Sequence, residues 1–374
     1  MSIDQGASPL PAVGAAQAIN WDGEWIFYSC ERCQRIYLSR PRNTSIHCPY
    51  CLHPELEPQI DTGSDSALEY TPELVVPFSL STSGMEIAIQ SFARGIPFPP
   101  QDLNPPQLRS RLQPLYLPMW LVDADVKAAW QAEAGFNYEV VSHQDKFEEN
   151  RGGWSTRQIK ETKIRWEPRL GHLKRKYQNI LAPALEEHAQ MIARLDRFDM
   201  TQARAFQPQA IQDALIRQPD RSPQDAWSDA RPAFQSAAAS ECQQASCADH
   251  LRLFKWQPEF LNENWTLMLL PIYSTFYYDD DQKPQSVLIH GQSGKISGVR
   301  RASWKRAQKT VVTLLVIAAV IFMLGLALAV ASVAFPPILA FGVVGLVIAI
   351  LIGIGALIPL IIVWGFNRRN YSDR

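Results

Sequence analysis

The chain has 374 residues, and 36 Lys and Arg against 37 Asp and Glu give a formal net charge of −1. Residues 299–374 alone carry +7, which leaves −8 for everything before them. An acidic soluble part argues against a phosphate-backbone partner, and six cysteines in so long a chain argue against a disulfide-stapled fold and for a reducing compartment.

Residues 1–20 are rich in Ala, Gly and Pro and lack both a basic start and a long apolar core, so they read as a disordered lead-in and not as a signal peptide. Residues 21–58 are the most informative soluble stretch. Cys30-Glu31-Arg32-Cys33 and Cys48-Pro49-Tyr50-Cys51 form two C-x2-C pairs separated by 14 residues. A tetrahedral zinc ion wants four soft ligands, and two such turns supply them in pairs. Residues 25–28 and 35–38 have strand composition, as a zinc ribbon requires. One structural Zn2+ on Cys30, Cys33, Cys48 and Cys51 is the expectation. His47 and His53 are then bystanders, because structural sites close at four ligands. Arg32, Arg35, Arg40 and Arg42 surround the cysteines and are the basis of an alternative, nucleic-acid-binding reading.

Residues 59–72 are polar and turn-rich, a linker. An α+β domain is expected over 73–298. It opens with a strand at 74–80. A helix follows at 83–93, with Met85, Ile89 and Phe92 on one face and Gly95 placed to end it. The proline-rich residues 96–118 suggest an extended connector. Residues 115–138 suggest a long strand or hairpin, 143–153 a charged loop, and 155–167 and 172–182 two further strands. Pro183 is well placed to open a helix over 184–200. Residues 206–221 carry no clear signal. Residues 224–249 are Ala- and Gln-rich and helical by propensity. They lead to Cys242, Cys247 and His250, which helical spacing would point apart. A buried strand at 265–278, a turn at 279–282 whose Asp279, Asp280 and Asp281 are expected to be solvated, and two short strands about Gly291 and Gly294 close the domain.

The run Gly291-Gln292-Ser293-Gly294-Lys295 is not a P-loop. Two residues separate its glycines where four are needed, and Ile296 follows the lysine. Neither a zinc-protease nor a nucleophile-elbow motif occurs. No residue is marked as catalytic, and none as cofactor-binding beyond the four cysteines. An enzyme site assembled only in three dimensions stays open as a second alternative.

Residues 299–310 form a basic juxtamembrane segment. Residues 311–334 and 338–364 are uncharged apolar runs of 24 and 27 residues, separated by Phe335-Pro336-Pro337. Each is long enough to cross a hydrocarbon core of about 30 Å. Residues 365–374 form a basic tail. Positive flanks stay on the cytoplasmic side, so both termini are expected to be cytoplasmic and the inner (cytoplasmic) membrane to hold a multi-pass hairpin. Gly345, Ala349 and Gly353, with Gly325 and Ala329, recur every fourth position and allow close backbone approach. They would serve packing within the hairpin or a homo-oligomer. No ionisable residue lies in either run, so the hairpin reads as an anchor and not a transport path.

The order of these features resembles a family of bacterial membrane proteins described as TFIIB-type zinc-ribbon-containing, some of which carry a primosomal-helicase label. The ribbon YSCERCQ…HCPYC carries the likeness, followed by VVPFSL, LYLPMWLVDA with FNY, LMLLPIYSTFYY, HGQSGKISG and the terminal hairpin. The chain has Ile289-His290-Gly291-Gln292-Ser293-Gly294 where the family favours Val-Asn-Gly-Gln-Thr-Gly, and residues 206–248 match weakly. The resemblance implies a cytoplasm-facing scaffold. Some members resemble the membrane component of a phage-shock-type envelope stress module, which recruits a membrane-remodelling coat protein. It implies no chemistry, and without a P-loop the helicase label has no support.

Overall fold

The computed structural model describes residues 25–41, 46–59, 70–148, 153–192, 195–211, 213–332, 337 and 339–371. The expected lead-in, most of the linker and the hairpin turn lie largely outside them. Within them the chain forms one mixed, 11-stranded sheet, with helices on its flanks and two long apolar helices at the C-terminal end.

The N-terminal part gives β1 (Ile26–Ser29), β2 (Ile36–Ser39) and β3 (Glu57–Gln59), antiparallel about β1. A short β4 (Leu74–Val75) follows, then α1 (Thr82–Arg94). Ser81 caps α1 by accepting from Gly84 N at 3.1 Å. Gly95 does end the helix, but at φ −74°, outside the left-handed region. The expected connector at 96–118 instead contains α2 (Pro105–Ser110). Asn104 caps it, and two prolines occupy its first turn, where a missing N–H costs nothing.

Three strands dominate the molecule: β5 (Gln113–Glu148), β6 (Gly153–Pro183) and β9 (His250–Tyr278). β5 is one strand of 36 residues, roughly 120 Å at about 3.3 Å per residue. β5 and β6 run through the stretch expected as a charged loop, pairing as far as Glu148↔Gly153, and the two strands expected at 155–167 and 172–182 are one. β9 begins 15 residues earlier than expected and lies on the other side of β5 from Gln113↔Ser274 to Gly135↔His250. Beyond Gly135 only β5 and β6 remain paired, and the long strands end there as a two-stranded arm. Bulges flank Asp123 to Asp125 on both neighbours, with left-handed Asn179 and Asn262 as the extra residues. Asp123 Oδ1 accepts from Asn179 N (2.7 Å), and Asp125 Oδ2 from Asn262 Nδ2 (2.8 Å). Further out, Trp130 lies over Gly171 and Trp166 over Gly135, each pair directly opposed across β5 and β6. A Cβ on Gly135 would stand 2.8 Å from the Trp166 ring, so the glycines make room for the indoles.

The helix expected at 184–200 shrinks to α3 (His188–Ile192). β7 (Arg204–Ala205) pairs with β4, and the unassigned stretch after it yields β8 (Leu215–Arg217), buried throughout. α4 (Pro223–Ala245) opens on a capping box between Ser222 and Asp225 and buries a stripe at every fourth residue, Ala226, Ala230, Phe234, Ala238 and Cys242. Most of that stripe packs at the root of the arm with Trp120, Val122, Val126 and Tyr177.

β10 (Pro284–His290) and β11 (Ile296–Gly298) complete the sheet. The glycine turn between them is the expected hairpin. A Cβ on Gly291 would sit 2.6 Å from the Pro271 carbonyl oxygen, which explains that glycine without a phosphate. Lys295 is engaged too, in an ion pair with Asp196 at 2.9 Å.

α5 (Trp304–Ala331), α6 (Leu339–Gly355) and α7 (Ile358–Tyr371) end the chain. Trp304–Ala331 and Leu339–Asn370 are long and apolar enough to cross a membrane. Only 11% and 22% of their most apolar windows is buried, unlike the core helix of a soluble protein. The two pack on each other through glycine. A Cβ on Gly342 would lie 2.8 Å from Ala329 N, and one on Gly325 3.0 Å from Leu346 N.

The joint between sheet and helices is tightly bonded. Asp280 accepts from Ser303 Oγ (2.6 Å) and from Lys305 N (2.9 Å) at the start of α5. The Tyr277 hydroxyl donates to the Val299 carbonyl (2.8 Å) and accepts from Arg301 N (3.0 Å). From α7, Asn367 accepts from Ala302 N (2.8 Å) and donates to its carbonyl (3.1 Å). The turn expected as solvated is therefore structural, since buried Asp279 also accepts from Lys283 N and Gln285 Nε2.

Asp102 ties α2 to the same joint, paired with Arg111 and accepting from Tyr278 N at 2.8 Å. Burial raises its carboxyl, but the hydrogen bonds from Arg111 and Tyr278 outweigh that and hold it below the ordinary carboxylate value. A depressed folded value means that its stabilisation is full above about pH 4 and lost as pH falls through the folded value. Asp102→Asn is expected to cost about 1.5–3 kcal/mol at neutral pH and to flatten the fall in melting temperature on acidification. An unchanged acid slope would exclude this role for Asp102.

Candidate metal centre

The four cysteines come from two turns built alike. Gln34 N donates to the Cys30 carbonyl (2.7 Å), and Leu52 N to the Cys48 carbonyl (3.0 Å). Cys30 N donates to Arg35, and Cys48 N to His53. Gln34 and Leu52 both sit in the left-handed region, at φ 56° and 58°. A side chain there costs roughly 1–2 kcal/mol, so each turn is held in a conformation it would not choose alone. The result brings the thiols of the two turns together.

The four sulfurs lie within 4.8 Å of one another, with Cys30 and Cys51 at 3.4 Å and Cys33 and Cys48 at 3.6 Å. A tetrahedral ion with sulfur bonds of about 2.3 Å sets its ligands roughly 3.8 Å apart. The donor set fits one such ion. His47 and His53 fall outside the group. His53 Nδ1 lies 3.1 Å from the Glu55 carbonyl, and His47 packs against Phe276 at 4.8 Å. Among the described residues the four cysteines form the only group able to hold a metal, so Cys242, Cys247 and His250 do not make a second one.

A surround that spacing could not show supports the cluster. Burial pushes the Cys48 and Cys51 thiols up. Burial also raises Cys33, but hydrogen bonds from the Arg35 backbone and guanidinium outweigh it and bring it down to about 7. Arg35 is held by buried Glu187 at 2.8 Å and lies over the Tyr50 ring at 3.3 Å. The Tyr37 hydroxyl is 3.6 Å from Cys48 Sγ, and Arg217 lies over the same tyrosine. Four thiolates around a divalent ion leave surplus negative charge, and these cations and the phenol are placed to offset it. Glu187 is 152 positions from Arg35, which is why no local pattern announced it.

Comparison with family models, with curated proteins and with solved structures finds no match.

The cluster is built into the main sheet. β2 pairs with β8, and β8 runs parallel to β5 at Leu115 and Tyr116. Cys30 and Cys48 share a core with Leu115, Leu117, Leu185 and Ile272. Pro49 accepts from Ser274 Oγ at 3.4 Å, near the end of β9 that carries Tyr277. The arginines around the cysteines are partly spent. Arg35 is paired as described, and Arg40 lies over Trp25 at 5.3 Å.

Proposed function

We propose that this chain is a membrane-anchored scaffold, in which one structural zinc ion and a rigid sheet present cytoplasmic surface to protein partners. The carrying observation is the joint. The sheet and both apolar helices share bonded contacts at Asp280, Tyr277 and Asn367, so the sheet, into whose core the cysteine cluster packs, is held in a set orientation to the anchor. The basic residues Arg300 before α5 and Lys305 and Arg306 in its first turn, with Arg368 and Arg369 in α7, support a cytoplasmic placement of both ends. The all-sulfur set supports zinc without an open coordination position, hence a structural and not a catalytic ion. The engagement of Arg35 and Arg40 within the fold weakens the nucleic-acid alternative. The family resemblance makes a membrane-remodelling coat protein the first partner to look for.

Crosslinking in native membranes, followed by affinity purification and mass spectrometry, tests the reading. Recovery of envelope stress components, with one zinc per chain by elemental analysis, is the expected result. Nuclease-sensitive recovery of replication or transcription proteins would overturn it.

A further inference from the structure

We propose that the outer edge of β6 is a docking edge for an acidic, extended segment of a partner protein, which adds to the arm as a further strand. The proposal rests on the scaffold reading and names the surface and the partner chemistry. Among the described residues β6 pairs only with β5, so its other side carries an unpaired row of backbone N–H and C=O groups. Between residues 153 and 178 proline interrupts that edge once, at Pro168. The free edge of β9 offers less. It carries Pro258 and bulges at Leu253 and Asn262.

Charge selects the occupant. β6 holds eight Lys and Arg against two Glu, a net of +6 inside a soluble part that is acidic overall. Lys160, Arg165, Arg169 and Arg175 reach carboxylates of this chain. Lys163, Lys174 and Lys176 form no ion pair among the described residues, and all three are exposed. Lys176 stands opposite Asp125 and Lys163 opposite Tyr138, but Lys174 stands directly opposite Lys127 on β5, with Glu259 as that lysine's neighbour on the far side. Like charges set directly across a sheet are destabilising, so the fold keeps a surplus of cations where a carboxylate on an added strand would relieve it.

The same charge disfavours a second copy on this edge, since two β6 strands would set the unpaired Lys163, Lys174 and Lys176 of each against those of the other. It also favours polypeptide over nucleic acid. A strand edge is matched by another extended backbone, and Trp166, whose face a base would stack on, is covered by Arg252 at 4.0 Å. Lysines on an edge guard against pairing with neutral or basic strands. An acidic strand is the partner that they do not repel.

The test uses the full chain in lipid nanodiscs and three labelled probes. These are a short peptide of alternating Glu and Thr, a peptide of the same charge interspersed with proline, and a single-stranded DNA oligonucleotide. The alternating peptide is expected to bind and to slow amide exchange in β6. The proline peptide should bind about tenfold more weakly or worse, as should the alternating peptide to a Lys163→Glu, Lys174→Glu, Lys176→Glu variant that melts like the parent. Absence of peptide binding, equal binding of the proline peptide, or displacement by the oligonucleotide would each overturn the proposal. Crosslinked partners recovered alongside a negative peptide result would remove the edge assignment and leave the scaffold. A failed membrane anchoring would remove the scaffold itself.

Discussion

Replacing Cys48 with serine, or stripping metal with a chelator, is expected to unfold β1 to β3 and to release β8 from β2. Structural zinc contributes about 10–16 kcal/mol to the folding of small metal-stapled units, comparable to the whole stability of an ordinary domain. Little else here could replace it. The three strands have four, four and three residues, and each cysteine turn holds a residue in the left-handed region. The damage should spread, because buried Cys30 and Cys48 share a core with Leu115, Leu117 and Ile272 at the base of the long strands. Without the metal, the burial that raises Cys48 and Cys51 leaves neutral thiols facing one another. Amide exchange should rise first at residues 26–39 and then at 215–217, with a large drop in melting temperature. Metal-free protein with native exchange at those residues would exclude a structural ion.

Gly342→Val is expected to break the packing of the two apolar helices, while Gly353→Val leaves it intact. At Gly342 the new Cβ would stand 2.8 Å from Ala329 N and 3.0 Å from the Gly325 carbonyl oxygen. Both are backbone atoms, so the helices must part. In lipid, close packing and not apolar burial holds helices together, and a forced gap of this kind costs about 1–3 kcal/mol or more. Gly353 has nothing within 4 Å of its added Cβ. Thermal denaturation in bicelles compares the two variants, and equal melting would exclude the Gly325–Gly342 contact. A Gly353→Val variant that melts normally but changes oligomeric state would assign that face to a second copy.

The elements that were legible before the fold share a property. Their signals are local. The C-x2-C turns, the apolar runs, α1 with Met85, Ile89 and Phe92 on one face and Gly95 at its end, and α4 with its Ala- and Gln-rich propensity are each read within a few turns of chain. The misreadings were non-local. Residues 143–153 are charged and looked like a loop, yet β5 and β6 reach Glu148 and Gly153. A stretch this rich in charged and polar residues has no apolar alternation to mark it as a strand, and it is the pairing with β6 that makes it one. Residues 184–200 have helical composition, but Leu185, Leu195 and Phe198 are drawn into the cysteine-side core and α3 is five residues long. β8 escaped notice because its three residues are recognised only by β2 and β5 on either side.

By itself, then, the sequence determined the four cysteines that come together as a group able to hold a metal ion, and the two apolar helices, since four thiols at that spacing and two uncharged runs of that length have few other physical solutions. Only the tertiary structure decided that the cysteine cluster is part of the main sheet, that Glu187 secures Arg35 beside it, and that one basic strand edge is left open. Those outcomes depend on register and on contacts between residues more than a hundred positions apart, which a propensity or a motif does not encode.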